Sequence, residues 1–290
     1  MPVEADEAPL EDALARAGVA YEWAVWDDPE VQWSRFAGVL IRTVWDYTDK
    51  IEAFRDWVRA VAAETRLWNP GPVVAWNSHK RYLLELAERG VPVTPTTLVP
   101  SGTAVAGHEI LESFDDPAGF IVKPAESVGS LGLTRWDGDE TGRAGVIDAV
   151  GELHRTGQDA LVQPLLTGVM TTGETSMIFL DGTLSHAVVK VPANGDIRSQ
   201  PEWGADVAAW VPTAAQRALG TAALAAAGAV LGHDVSDFAY ARVDTVDTGG
   251  ALGVDPVLME LELIEPDLYL AYDDGAADRV VAAITGRLTG

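Results

Sequence analysis

Two segments near the C-terminal end read as strands, Phe238-Ala-Tyr-Ala-Arg-Val-Asp-Thr and Pro256-Val-Leu-Met-Glu-Leu-Glu-Leu-Ile. Because side chains alternate along a strand, Arg242 and Asp244 share one face of the first, and Glu260 and Glu262 share one face of the second. The opposite faces carry Ala239, Ala241 and Val243, and Met259, Leu261 and Leu263, so they must be core. The charged faces also hold Phe238, Tyr240, Leu258 and Ile264, which surrounds three carboxylates and a guanidinium with apolar neighbours. An unpaired buried carboxylate is costly, so three on one patch predict a bound cation, and oxygen-only ligands point to Mg²⁺. A solvated face with cross-strand ion pairs is the plainer alternative.

Lysine supplies a second signal. The chain has 16 Arg but only four Lys, at positions 50, 80, 123 and 190. Lys50 opens a helix and reads as solvated. Lys123 and Lys190 fall in the otherwise apolar strands Phe120-Ile-Val-Lys-Pro and His186-Ala-Val-Val-Lys-Val. Each either snorkels to an edge or meets an anion such as a phosphate, and two such cases beside a carboxylate patch favour the anion. Third, Ser127-Val-Gly-Ser-Leu-Gly joins two strands, so Ser127, Gly129 and Ser130 can offer hydroxyl and backbone N–H groups to phosphate oxygens. The sequence has neither G-x-x-x-x-G-K-[ST] nor G-x-G-x-x-G, which argues against a P-loop NTPase and a dinucleotide-binding fold.

The elements that must position these residues fall into three stretches. From the start, Glu7 to Ala17 has helical spacing, Val19 to Trp26 reads as a strand, and Ala37 to Val44 is β-rich. A helix over Asp49 to Glu64, capped by Asp49, and a short strand at Arg66 to Asn69 follow, so residues 1–90 read as a Rossmann-like half-domain with a parallel sheet. Such a domain normally begins with a strand, and this one is expected to lack it or to begin upstream. Asn77 to Arg89 reads as a helix ending at Gly90, where a Pro-rich segment marks a boundary. Residues 91–165 read as a small α+β lobe: strands at Gly119 to Pro124, Leu131 to Asp137 and Ala160 to Leu165, and a helix near Arg143 to Arg155. Residues 166–290 read as a third lobe. Its strands are Glu174 to Leu180, Thr183 to Val191, Phe238 to Thr245 and Val257 to Ile264, with a long helix after Pro212 and a terminal helix.

Composition bounds the partners. A chain of 290 residues with 48% hydrophobic and 22% charged residues can bury a core and exceeds what one core usually organises. A net charge of −24 repels nucleic acid and anionic lipid alike. The absence of Cys removes disulfides, thiolate catalysis and Cys-ligated zinc. The acidic N-terminus does not read as a signal peptide, so a cytoplasmic setting is expected. Ala218 to Gly232 is apolar but shorter than a membrane span, and reads as a packed helix. Association into a homo-oligomer is compatible with the sequence.

In this order, the features resemble the ATP-grasp superfamily over residues 76–268, whose members clamp ATP between two α+β lobes. The resemblance implies a helix-borne lysine at Lys80 in Trp76-Asn-Ser-His-Lys-Arg-Tyr-Leu, then Lys123 ahead of a flexible loop at Ser127 to Gly132. It implies an adenine-contacting hinge strand at Val162-Gln163-Pro164-Leu165, with Glu174 in Gly173-Glu174-Thr175-Ser176, Lys190 and Arg198 as nucleotide and phosphoryl contacts. Asp244, Glu260 and Glu262 match its Mg²⁺ ligands; Glu262 departs from the Asn of many members and adds negative charge. Ile41-Arg42-Thr43-Val44-Trp45-Asp46-Tyr47, Arg66-Leu67-Trp68-Asn69-Pro70 and Glu260-Leu-Glu-Leu-Ile-Glu-Pro266 are most similar to the branch containing the cycloserine synthetase that closes O-ureidoserine into cycloserine.

The expected fold class is therefore α/β and α+β, a Rossmann-like N-terminal domain followed by a two-lobed ATP-grasp fold. The expected function is ATP-dependent carboxylate-amine ligation through an acyl phosphate, on a small amino-acid-like substrate. Lys190, Arg198 and Arg242 would neutralise charge in the transfer. Arg42, Trp45, Asp46 and Tyr47 follow a strand, where open α/β domains bind ligands, and are the candidate substrate contacts, with Gln200 the candidate from the third lobe. A small-molecule kinase and a non-catalytic nucleotide-binding protein are the rival readings; the full set of three acids weighs against the second. Seven of the ten Trp lie between residues 23 and 76, where packing is the default account, and the five His are given no catalytic role.

Overall fold

A computed structural model of the chain describes residues 6–103, 107–114, 117–193 and 196–288. The largest sheet has five antiparallel strands, β7 (Glu174–Leu180), β8 (Thr183–Val191), β9 (Asp206–Ala209), β10 (Tyr240–Val246) and β11 (Val257–Glu262), ordered β11-β10-β7-β8-β9. Every residue of β7 is buried, because helices cover both faces. On one face lies α8 (Ala214–Leu231) with α4 (Tyr82–Glu88), meeting Met177, Phe179, Val243 and Leu261. On the other lies α9 (Ala276–Gly286) with α1 (Glu7–Arg16), meeting Ile178, Val188 and Tyr240.

The long helix is set by local chemistry. Thr213 and Gln216 form a reciprocal capping box at its start, and Gly232 closes it in the left-handed region at φ 70°. Gly220 lets α8 approach the sheet, since a Cβ there would stand 2.8 Å from the Phe179 ring. By length and composition α8 is apolar enough to cross a membrane; here it packs through Leu219, Ala223, Leu224 and Ala227.

A second sheet has the order β3-β6-β4-β5, from β3 (Thr97–Val99), β4 (Gly119–Pro124), β5 (Thr134–Asp137) and β6 (Ala160–Pro164). Its apolar face packs on α6 (Glu140–Arg155), capped by Asp139, and on α5 (Gly107–Leu111). The short α7 (Gly168–Thr171) links the two sheets.

The N-terminal stretch departs furthest from its pattern. Its parallel sheet is only β1 (Val39–Leu40) beside β2 (Leu67–Trp68). The strand expected at Val19 to Trp26 is absent: the segment makes no ladder, and Tyr21, Trp23 and Val25 face outward while Trp26 turns inward. The expected Asp49 cap is replaced by a 3₁₀ turn over Trp45–Lys50, and α2 (Ile51–Glu64) starts from Lys50 with no side-chain cap. The helix expected over Asn77 to Arg89 forms only as α4, starting at Tyr82; Asn77 instead ends a separate helix, α3 (Gly71–Asn77), with Lys80 in the turn between them. There the Lys80 N–H donates to the Ala125 carbonyl at 2.8 Å instead of to a helix partner. The tryptophans do pack: Trp26, Trp33 and Trp57 form an aromatic cluster with Phe54 and Tyr47.

Candidate functional site

The site is built on β10 and β11, whose register sets Asp244 opposite Glu260 and Arg242 opposite Glu262. β7 adds Ser176 opposite Asp244, and β8 adds Lys190 opposite Glu174. Strand alternation thus brings side chains far apart in sequence onto one buried face.

Charge pairing on that face is dense. Arg242 bonds Asp244 at 3.0 Å and also Glu262. Lys190 pairs with Glu174 at 2.6 Å and lies 3.8 Å from Asp244, which also accepts from the Ser176 hydroxyl at 2.5 Å. Lys80 bridges Glu260 at 2.9 Å and the Ser127 carbonyl at 2.6 Å, tying the acids to the Gly-rich loop. Among the described residues, no three carboxylate or His side chains converge on a common point; each of the three acids turns instead to a cation.

The titration of the row follows from this division. Burial opposes every charge, but Arg242 and Lys190 outweigh it at Asp244, and Lys80 and Lys123 outweigh it at Glu260, so both carboxyls sit below the usual range. Glu262 is raised: burial dominates, Arg242 is shared with Asp244, and the neighbouring Glu260 and Asp244 charges repel it. Burial alone would discharge Lys190, yet Asp244 and Glu174 hold it protonated well above the ordinary lysine range. Lys123 is pushed down by burial, and it is the only lysine without an ion pair or side-chain hydrogen bond among the described residues.

The other expected contacts divide into those near this network and those held elsewhere. The Ser199 hydroxyl donates to Glu174, and the Ser130 hydroxyl donates to the Gln200 side chain at 3.0 Å, so the segment around residue 200 spans from the network to the Gly-rich loop. Within that loop Gly129, Ser130 and Gly132 all adopt positive φ. Arg198 itself is turned away, paired with Asp196 at 2.7 Å and stacked 3.6 Å over Trp203. Gln163 is buried against the Thr96 hydroxyl at 2.8 Å, and the Leu165 N–H is spent on the Gly119 carbonyl at 2.8 Å. Arg42 is buried with Asp6 at 3.2 Å and the Pro266 carbonyl as partners. Asp46 accepts from Trp26 at 2.9 Å and is exposed with Trp45 half-buried, whereas Tyr47 is buried and feels the charges of Glu265, Glu262 and Glu260.

Sequence reading missed the residues that hold β11. That strand is the sheet's edge, and its outer backbone is completed by side chains and loop from the N-terminal half. The Asn77 amide donates to the Leu261 carbonyl at 2.8 Å and accepts from the Leu263 N–H at 2.7 Å. Tyr82 accepts from the Leu261 N–H at 3.2 Å, and residues 92–94 exchange two 2.8 Å bonds with Leu258. Asn69, at φ 60°, binds the Tyr240 and Leu263 carbonyls at 2.8 and 2.7 Å. Asn-Pro at 69–70 was a turn signal; nothing in the sequence marked Asn77.

Paired α+β layers, a Gly-rich loop and a lysine-carboxylate row define an ATP-grasp enzyme, an ATP-dependent ligase. Residues 87–231 match the profile of the prokaryotic glutathione synthetase ATP-grasp domain, and residues 1–69 that of the D-cycloserine synthetase DcsG N-terminal domain. The cycloserine biosynthesis protein DcsG of Streptomyces lavendulae is 34% identical over 301 aligned residues, covering 99% of this chain and 95% of that protein. The chain belongs to the ATP-grasp family that includes DcsG. The crystal structure of D-cycloserine synthetase DcsG matches it with a TM-score of 0.89, at 34% identity over 99% of this chain and 96% of that one. The D-alanine–D-alanine ligase from Bacillus anthracis, complexed with ATP, shares the fold at a TM-score of 0.64 and 13% identity, over 99% and 94% of the two chains.

Proposed function

We propose that the protein transfers the γ-phosphoryl group of ATP to the carboxylate of a small amino-acid-like substrate in the cytoplasm, and that a nitrogen of the same molecule closes a ring, as in cycloserine synthesis. A carboxylate oxygen bonds the γ-phosphorus as ADP leaves; the nitrogen then bonds the acyl carbon, expels inorganic phosphate and gives up a proton, and with O-ureidoserine the carbamoyl group on that nitrogen is then cleaved by water and leaves as ammonia and carbon dioxide. The observation that supports this reading is the row of Lys80, Lys190 and Arg242 against Glu260, Asp244 and Glu262, in a chain related over its length to a cycloserine biosynthesis protein.

This chemistry asks for alignment and charge neutralisation more than covalent help. Lys123, without a protein partner, and Lys190, kept charged, take phosphate oxygens; Arg242 and, after releasing Asp196, Arg198 face the transferring group. Ser127, Gly129 and Ser130 offer the loop to the phosphates, Glu174 fixes Lys190, and Gln163 and Leu165 flank the adenine. Asp244, Glu260 and Glu262 would hold Mg²⁺: all three are the hard oxygen donors it takes, and each would turn from its present Lys or Arg partner to share one ion. Bound there, Mg²⁺ supplies neutralisation of the phosphoryl oxygens. Residues 91–165 and 166–290 form the ATP clamp, and 1–90, apart from α1 on α9, selects the substrate.

The test is ADP and phosphate release with O-ureidoserine. Cyclised product with stoichiometric phosphate supports the ligase; a stable phosphorylated compound would instead identify a kinase. Glu260→Gln is the informative variant, since Glu260 is 27% exposed and its ion pair is with Lys80 alone. It should lower turnover at least a hundredfold; turnover within a few-fold of wild type would remove Glu260 from the metal set.

A further inference from the structure

Just beyond β11, after the chain has left the sheet, Glu265 is 9% exposed, and its Oε2 is a buried side-chain oxygen without a hydrogen-bond partner. Among the described residues the only other such atoms are two indole nitrogens, of Trp57 and Trp68, so Glu265 is the one carboxylate in this condition. A buried acceptor left unmade is expensive, more so when charged. Its backbone is pinned on both sides: the Ile264 carbonyl accepts from the Tyr240 hydroxyl at 2.7 Å, and the Pro266 carbonyl from Arg42. The backbone that carries the carboxylate is therefore fixed.

Its electrostatic neighbours are Lys80, Arg242 and Arg42, with the Tyr47 hydroxyl also supporting the charged form. Each of those cations is committed to another acceptor: Lys80 to Glu260, Arg242 to Asp244 and Glu262, Arg42 to Asp6. Glu265 thus stands between the acid row and the 42–47 segment, in a field of cations that do not bond its Oε2. An anionic group would meet a carboxylate there, and a divalent ion would need several further oxygens around the same point. A nitrogen carrying hydrogens can donate to this open acceptor.

We propose that Glu265 is a substrate-binding residue whose Oε2 accepts a hydrogen bond from the amino group of the amino-acid-like substrate, fixing which end of the molecule faces the phosphoryl donor. The proposal rests on the ligase reading above. Burial, against the pull of Lys80, Arg242 and Arg42, lifts the carboxyl to about 7, so near neutrality it exists in part as the anion that an ammonium group would complete.

The experiment compares ADP release by wild type, Glu265→Gln and Glu265→Asp with O-ureidoserine and its desamino analogue. Losing one charge-assisted contact should raise KM for O-ureidoserine about ten- to hundredfold while leaving KM for ATP within about threefold. Wild type should prefer the amino compound, and Glu265→Gln should lose that preference; Glu265→Asp, if Gln fails to fold, should retain it in weakened form. An unchanged KM, or equal rises for ATP and substrate, would overturn the assignment. If O-ureidoserine is inert, a panel of amino acids and small peptides with their desamino counterparts takes its place. Equal use of both sets would then refute Glu265 alone, and no ADP from any member would refute Glu265 and the ligase together.

Discussion

Replacing Asn77 with Ala separates the scaffold of the site from its chemistry. The Asn77 side chain makes two buried bonds to β11, and truncation strands the Leu261 carbonyl and the Leu263 N–H together. Each unsatisfied backbone group costs about 1–3 kcal/mol, so the pair sums to about 2–6 kcal/mol, with the lower figure applying if a water enters the space. For a chain of this size each kcal/mol shifts Tm by roughly 2–4 °C, giving a fall of roughly 4–24 °C between the hydrated and dry limits. Asn77→Asp keeps the acceptor for Leu263 but loses the donor to Leu261, and should fall between Ala and wild type. The assay is thermal melting combined with amide hydrogen exchange, in which Leu263 should lose protection selectively in the Ala variant. A melting point within a degree or two of wild type, with Leu263 still protected, would refute the claim that Asn77 serves as the missing neighbour of β11.

Three further outcomes are expected. Lys123→Met should weaken ATP binding about ten- to hundredfold by calorimetry without lowering Tm, because burial already disfavours that charge and no protein partner is lost. Arg42→Lys should lower Tm by several degrees with little change in KM, since a lysine cannot serve both Asp6 and the Pro266 carbonyl; a selective rise in substrate KM would restore Arg42 as a substrate contact. Glu265→Gln should melt like wild type at pH 4 and above it at pH 8. The folded carboxyl sits near 7 against an ordinary 4.5, so the folded state binds the proton more tightly and wild-type stability declines as pH rises between those values, by at most about 3 kcal/mol.

The C-terminal two thirds were legible because their strands are long and strongly patterned. β4, β7 and β8 fall where Gly119 to Pro124, Glu174 to Leu180 and Thr183 to Val191 were expected. The same alternation puts Arg242 with Asp244, and Glu260 with Glu262, on shared strand faces, as the register sets them. The first 90 residues were harder. Aromatic and apolar residues of Val19 to Trp26 alternate as a strand would, but no neighbouring backbone is there to pair with them, and tertiary pairing decides a strand. Partner choice was also hidden: Arg42 finds Asp6 and Pro266, and Arg198 finds Asp196, by side-chain placement that spacing does not encode. Glu265 escaped notice because it follows the end of β11, where alternation stops assigning faces.

The edge of β11 has a consequence for how this enzyme could be re-engineered or could have diversified. Glu260 and Glu262 sit on a strand whose outer side is finished by Asn69, Asn77, Tyr82 and residues 92–94, all contributed by the chain's first third. The segment proposed to face the substrate is therefore also the buttress of the strand that carries Glu260 and Glu262. A chimera that imports residues 1–90 from a relative imports Asn69, Asn77 and Tyr82 of the clasp as well, and a mismatch at position 77 would misplace Glu260 and Glu262 even if every catalytic side chain were retained. On the proposed assignment, selectivity and catalytic competence are mechanically joined, so new substrates should be reached by point changes around the clasp more readily than by exchange of the whole segment.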